Sequence, residues 1–508
     1  MEEPAAPDRA RGHVILAVLL VLIGSVRIVS TYTALSHTID EPEHLGCGME
    51  WMARGTYTWD PSHPPLARLL AVVGPWLDGA RLIPAPGSHA EGILLLGHDA
   101  HYDRTLALAR LGILPLFWAA SLSVFLWARR TGGPAAAVVA VFLFTTIPPV
   151  LAHAGLVTTD MAATACGPAA FLASLWWAER PDRWRTSVFG VMLGLAAIAK
   201  FSLLAYLPAG WLLLLAWRRP GVPAIRARLG ALCGAVLIGA LVIWAAYRFS
   251  FAGYPAPDFF TGIRTLWQHN ASGHDSYILG QRHHTGVWYF FPVLLAVKTP
   301  LAMLVLLGWS LVLVWRKKLP IGSAVAFAAG ILAVAMMGRI NIGVRHVLPI
   351  YAGLSVICGV AAADLMRRSS EGIAFLPTVG LFALFAAQAI SGAGHHPDYI
   401  AYTNEITWDH PENFVAESDL DWGQDMKLLA AFLKRMGATQ VAFTPYCLSY
   451  LDAGDAFPKT TPTDWYHPSK GWNVVSLGGW KVYNHPGWVN EQKPLAHIGR
   501  THWAWYFP

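Results

Sequence analysis

Charge is what this sequence has least of. Only 13% of its 508 residues are Asp, Glu, Lys or Arg, against about a quarter in a soluble globular chain. Hydrophobic residues make up 55%, and they come in blocks. That pairing excludes an ordinary soluble fold and points to a protein that crosses a membrane many times. Cysteine is scarce as well: Cys47, Cys166, Cys233, Cys358 and Cys447 are all there are. Three of them fall inside apolar runs, and no spacing fits a zinc ligand set or a paired framework. A bridge between Cys47 and Cys447 has nothing in the sequence to support it. The net charge of +6 is modest, and Lys and Arg sit at the ends of apolar runs without forming a stripe. Nucleic acid is therefore not a partner. There is no internal repeat and no low-complexity linker.

What is present is a series of apolar runs. A spanning helix needs about 20 such residues, and cytoplasmic loops collect Lys and Arg. Spans are expected at 14–33, 105–128, 134–152, 161–178, 229–249, 291–314, 321–337, 347–363 and 373–392. The first is read as an uncleaved span, since no small-residue cleavage site follows it. The block 187–217 has basic residues on both flanks, so it must cross an even number of times. Two short, tilted helices meeting near Lys200 are expected there. The total is about 11 transmembrane helices, in an all-α polytopic body over residues 1–393.

The loop 34–104 then lies outside, with amphipathic or re-entrant helices at 42–54 and 65–78. Of the 20 histidines, all but His13 fall on the outer side, although they played no part in assigning it. A polar outer chamber accounts for this; so, more plainly, does the preference of histidine for loops. Residues 394–508 change character. GQDMKLLAAFLKRMG has helical apolar spacing and a terminal Gly, while TQVAFTPY and WNVVSLGG read as strands. A small extracytoplasmic α/β domain is expected.

The chemistry gathers in the first outer loop. TIDEPEHLGCGMEWMARGTYTWDPSHPPLAR places adjacent carboxylates, Asp40 and Glu41, just after the first run. Acids this close to a span are costly unless they pair, hydrate or react. Asp40 and Glu41 are candidates for a general base; a cap for the helix starting near Pro42 is the plainer alternative. Asp160 lies at the same membrane face, as a second carboxylate or as the N-cap of its span. His63 is a candidate ligand for a metal or a phosphate, and Arg68 belongs to the same segment. Asp40, Asp160 and His63 together are candidate ligands for a divalent metal ion. Lys298 sits within an apolar run, where it needs an anion or a route to the interface. Arg345 and His346, in RINIGVRH, offer further partners for an anionic headgroup, with Arg339 beside them.

DEPEH, YTWDPSHPPLAR, TTDMAAT, GLAAIAKFSLL and RHVLPIY, taken in order, resemble glycosyltransferase family 39. That group holds the protein O-mannosyltransferases and their bacterial relatives, within the GT-C class. HPDYIAYTNE and SDLDWGQDMKLL resemble a C-terminal extension of bacterial members. The resemblance implies a GT-C fold in the inner (plasma) membrane. It also implies a mannose-like sugar donated from a polyprenyl phosphate to an extracytoplasmic hydroxyl, on protein, lipid or glycan. Asp40 takes the place of the family's first-loop catalytic acid, with Glu41 beside it, and Asp160 that of a second outer acid. The expected reaction is one inverting displacement, with Lys298 and Arg345 offsetting the charge on the leaving phosphate. A phosphate leaves readily, so a metal is optional. Trp59, Trp288 and Tyr289 are expected to stack on the sugar or acceptor. The chain lacks the MIR-type domain of eukaryotic O-mannosyltransferases, which counts against a protein acceptor. The competing reading is a transporter or a non-catalytic binding protein. It would call for polar residues at mid-membrane and inverted repeats, and neither is visible.

Overall fold

The structure, a computed structural model, describes residues 7–97, 99–317, 319–370, 375–407, 410–445, 457–483 and 487–508. The chain opens with α1 (Pro7–Val29), then four helices of the loop 34–104 and its exit: α2 (Glu41–Arg54), α3 (Leu66–Leu77), α4 (Ser88–Leu96) and α5 (Asp99–Leu111). The long α6 (Leu114–Thr146), the short α7 (Pro148–Ala154) and α8 (Asp160–Glu179) follow, then α9 (Arg183–Ala199), α10 (Leu203–Arg218), α11 (Val222–Arg226) and α12 (Leu229–Ala246). Next come α13 (Pro257–Ser272), the hairpin β1 (Ser276–Ile278) and β2 (Gln281–His283), α14 (Phe290–Lys298), α15 (Leu301–Lys317), α16 (Gly322–Met337), α17 (Ile350–Ser370) and α18 (Phe375–Ala393).

The expectation of about 11 full spans is corrected. Among the described residues, five helical stretches are long and apolar enough to cross a membrane, or six if the bent pair α14–α15 counts as one. The apolar runs are where they were expected, but breaks divide them. His101–Thr146 takes in the expected span 105–128 and most of 134–152, separated at Gly133, where φ is +86° ahead of Pro134; the rest of the second falls in α7. Between α14 and α15 the chain turns by 116°, just before Pro300. The block 187–217 does form two helices that meet at Lys200. At 16 residues, α10 reaches about 24 Å, short of the roughly 30 Å of a hydrocarbon core. α16 is equally short.

Within the largely aliphatic core of the body, Trp127 stacks on Phe171 and meets Phe327 edge-on. In the loop 34–104, α2 and α3 form where the amphipathic pattern put them. α2 lies unusually close to α4. A Cβ at Gly46 would fall 2.0 Å from the Ser88 carbonyl oxygen, and one at Gly92 1.8 Å from that of Pro42. Only glycine at both positions lets the backbones meet, and this close approach fixes the start of α2, where the acids are.

Beyond α18, residues 399–422 pack into the same core through Tyr399, Ile400, Val415, Leu420 and Trp422. Then come α19 (Met426–Arg435), β3 (Gln440–Thr444), β4 (Lys459–Thr461), β5 (Gly471–Ser476), α20 (Leu477–Tyr483), β6 (Ala496–Ile498) and β7 (His502–Phe507). The sheet order is β4-β3-β5-β7-β6. β3 runs parallel to β4 and β5, and β7 antiparallel to β5 and β6. α19 buries Met426, Leu429 and Leu433 against Val441, Phe443 and Val474, which is the helical period read from the sequence. Cys447 lies outside the described residues, and so does the pairing of Cys47 with it.

Candidate functional site

Asp40 and Glu41 are neighbours in sequence and diverge in space. Glu41 is fully buried and accepts from Arg110 Nε (2.9 Å) and Nη2 (2.8 Å), from the Val157 amide (2.9 Å) and from the Thr38 amide (2.8 Å). Burial alone would raise its carboxyl; Arg110 and the two amides outweigh that and hold it below the ordinary value. Glu41 is therefore a clamp joining the start of α2 to α5 and to the loop before α8. Asp40 stands at the N-cap position of α2, yet its side chain caps nothing. It turns the other way and accepts from Arg345 Nη1 at 2.5 Å. No cation near Asp40 in sequence foretold this partner, which lies some 300 residues further on.

Asp40 lines a cavity of about 310 Å³. The loop 34–104 contributes His44 and His63; the start of α8 and the α9–α10 break contribute Asp160 and Lys200; His269 and His274 come from α13 and its exit. Arg345 and His346 enter from a 3-10 turn, Val344–Val347, and Glu417 and Trp422 from the C-terminal segment. Asp160 follows the N-cap residue Thr159 and is not itself the cap. Its Oδ1 accepts from Lys200 Nζ at 2.5 Å, while its Oδ2 has no hydrogen-bond partner among the described residues and lies 3.8 Å from His153. Arg345 also lies over the Trp422 ring, 4.3 Å from its centroid. Burial, with Lys200 and Arg345 nearby, holds His346 well below its ordinary value, so its ring is neutral.

Of the residues singled out from sequence, the fold brings Asp40, His63, Asp160, Arg345 and His346 to this cavity. Arg68 is buried behind it. Its guanidinium donates to His44 Nδ1 (2.9 Å), Tyr57 Oη (2.9 Å), the Asp60 carbonyl (2.7 Å) and the Asp60 carboxylate. That set braces the turn on which His63 sits, and Asp60 in turn holds the His63 ring at 3.1 Å. Lys298 is buried at the α14–α15 break, donating to the carbonyls of Ile400 (2.7 Å) and Asp419 (2.6 Å). Among the described residues it forms no ion pair with a carboxylate; it ties the C-terminal segment to the helical body. Trp59 and Trp288 are exposed, at 41% and 65%, and Tyr289 reaches His283 at 3.3 Å; none of the three lines the cavity.

Among the described residues no group of three or more His, Cys, Asp or Glu is disposed to hold a metal ion. Asp40 and Asp160 each face a cation supplied by the chain, and His63 is engaged by Asp60. A dication would have to compete with Arg345 and Lys200, so this donor set does not fit one.

Lys200 and Glu417 were missed as site residues. Lys200 was legible only as a polar interruption of an apolar block, which in a membrane is itself a functional signal. Glu417 had no signal, being one acid in a loop rich in them.

No family model matches this chain, and no curated protein does. Solved structures do. ArnT from Cupriavidus metallidurans bound to undecaprenyl phosphate aligns with a TM-score of 0.56 and 14% identity, over 96% of this chain and 97% of that one. Its apo form aligns with a TM-score of 0.53, again at 14% identity over 96% and 97%. The archaeal oligosaccharyltransferase AglB from Archaeoglobus fulgidus, in complex with an inhibitory peptide and a dolichol-phosphate, aligns with a TM-score of 0.48 and 15% identity, over 92% and 62%. At such identities the likeness is one of fold: over 96% of its length this chain shares the fold of that ArnT.

Proposed function

We propose that this protein is a GT-C membrane glycosyltransferase. It moves a sugar from a polyprenyl-phosphate donor to a hydroxyl acceptor on the extracytoplasmic face. The observation that carries this reading is the cavity itself, where two carboxylates, Asp40 and Asp160, stand with two cations, Lys200 and Arg345. The undecaprenyl phosphate bound to the ArnT of the same fold supports a donor of that class. Arg345 and Lys200 receive the donor phosphate and offset the charge that grows on it as the sugar departs. Arg345 then exchanges Asp40 for the phosphate, and Asp40 is left to accept the acceptor proton. The displacement inverts the anomeric carbon. Lys298, held by two carbonyls, has no part in the clamp, and Lys200 takes the role expected of it.

The finer assignment, a mannose-like sugar moved by a relative of family 39, rests on the motif resemblance. The helical body, residues 1–393 with its outer loop 34–104, is the catalytic unit, and residues 394–508 are an extracytoplasmic domain. The protein sits in the inner membrane among lipids, and its acceptor is a protein, lipid or glycan. The test is to incubate purified protein with a panel of labelled polyprenyl-phosphate sugars and detergent-solubilised envelope extract as the source of acceptor. Label should pass to an acceptor with the parent and fall by about 10²–10⁴ in rate with Asp40→Asn, as loss of a positioned base does. No transfer from any donor, or parental turnover in Asp40→Asn, would refute this reading.

A further inference from the structure

Three carboxyls line the cavity: Asp40, Asp160 and Glu417. The first two are paired, with Arg345 and Lys200. Glu417 differs in three respects. It is buried, yet among the described residues its carboxyl has no hydrogen bond or ion pair. It begins a 3-10 turn, Glu417–Asp419, at φ +54°, a backbone region that residues with a side chain seldom occupy. And the turn is pinned by contacts that leave this carboxyl out. The Ser418 hydroxyl donates to the Ile342 carbonyl (2.5 Å), the Val344 amide donates to Asp419 Oδ1 (3.0 Å), and Lys298 holds the Asp419 carbonyl (2.6 Å). Those anchors set Glu417 beside the segment that carries Arg345. A strained, well-anchored residue aiming an unpaired carboxyl into the cavity is placed for use rather than for stability.

We propose that Glu417 is a second catalytic residue of the site, the acid that delivers a proton to the leaving phosphate of the donor lipid. This rests on the transferase reading above. The bond that forms joins the acceptor oxygen to the anomeric carbon, and the bond that breaks joins that carbon to the phosphate oxygen. The acceptor proton goes to Asp40, and the Glu417 proton goes to a phosphate oxygen. One proton is thus moved from acceptor to phosphate, and no co-reactant is needed. Burial and the neighbouring Asp419 push Glu417 up to about 8, so the carboxyl carries its proton at neutral pH. Two carboxyls with opposite tasks at one site follow from environments that separate their protonation states. Asp419 faces Glu417 from its own turn, Arg345 from the Val344–Val347 turn, and Asp275 and Arg282 from the β1–β2 hairpin. Asp40, His44 and His63 from the loop 34–104, Asp160, Lys200, His269 and His274, and His346 beside Arg345 share the cavity with it.

The experiment uses the full-length protein and undecaprenyl phosphate as the probe. Its binding is followed from pH 6.5 to 9.5 in the parent, E417Q and E417A. A proton held between carboxyl and phosphate predicts that parental affinity falls about tenfold per pH unit above pH 8. E417Q keeps a donor that does not titrate, so its curve should be flat across that window. E417A should be flat and weaker. The same slope in E417Q as in the parent, or a flat parental curve, would overturn the proposal. E417Q is nearly isosteric and should melt with the parent, so the comparison does not depend on E417A folding. Turnover separates the two readings. pH-dependent binding without transfer of any sugar would overturn the transferase reading while leaving the proton where it is placed; transfer with an unchanged pH profile in E417Q would do the opposite.

Discussion

Glu41→Gln separates structure from chemistry at the first-loop acids. Glu41 and Arg110 have side chains only 0% and 1% exposed. The carboxylate takes five hydrogen bonds, one of them from the Thr38 hydroxyl, and Arg110 also donates to the carbonyls of Tyr32 (2.8 Å), Leu35 (3.3 Å) and Ser36 (2.8 Å). The clamp therefore gathers the end of α1, the start of α2, α5 and the loop before α8. The amide of Gln removes the charge and turns one acceptor into a donor that faces donors. Removing one partner of a buried pair costs about 3–5 kcal/mol. The individual bonds do not sum beyond this, because they share one carboxylate. In detergent solution Glu41→Gln should lower Tm by several degrees, whereas Asp40→Asn should change it little, since the Asp40 side chain is 29% exposed. The clamp also has a pH signature. The folded carboxyl lies below its ordinary value of 4.5, so its contribution is complete above pH 4.5 and is lost as pH falls through the folded value. The parent should lose stability in that acid window and Glu41→Gln should lose less. A Glu41→Gln variant that melts with the parent but cannot transfer sugar would refute the argument and put Glu41 in the chemistry.

Other outcomes follow from the same geometry. Lys200→Met and Arg345→Met should each weaken undecaprenyl phosphate binding by roughly 10–150-fold, the worth of one charge-assisted hydrogen bond, while Lys298→Met, which removes an anchor of the Glu417 turn and no phosphate contact, should weaken it less than either and lower Tm; titration and melting of the three variants check both statements. Gly343 has φ +151°, and a Cβ there would lie 2.4 Å from Ser418 Oγ, so Gly343→Ala should displace the Glu417 turn and cost about 1–3 kcal/mol, seen as a lower melting temperature with reduced turnover. Reporters fused after residue 95 and at Lys493 should both read extracytoplasmic; opposite readings would invert the sidedness proposed for the outer loop and the sheet.

The sequence by itself determined the apolar body, the loop 34–104 with α2 and α3, the two helices meeting at Lys200, and the helix and strands of the C-terminal segment. Each depends on periodicity, composition or a breaker, and those act over a few residues. It also singled out Asp40, Asp160 and Arg345. The tertiary structure decided what those residues face. Asp40 and Glu41 are indistinguishable as letters, but one meets Arg345 and the other Arg110, and neither partner lies within 60 residues of them. Lys298 and Lys200 both interrupt apolar blocks. The carbonyls of Ile400 and Asp419 bury one as a tie, and Asp160 draws the other to the cavity. The span count was overstated because an apolar run fixes burial in lipid or protein without fixing helix length. Gly133 and the break before Pro300 shorten or divide the helices according to what packs beside them. Glu417 was invisible for the same reason. Its chemistry comes from burial, from a positive φ and from Asp419 beside it, and the first two arise only when the chain from 399 to 422 closes over the helical body.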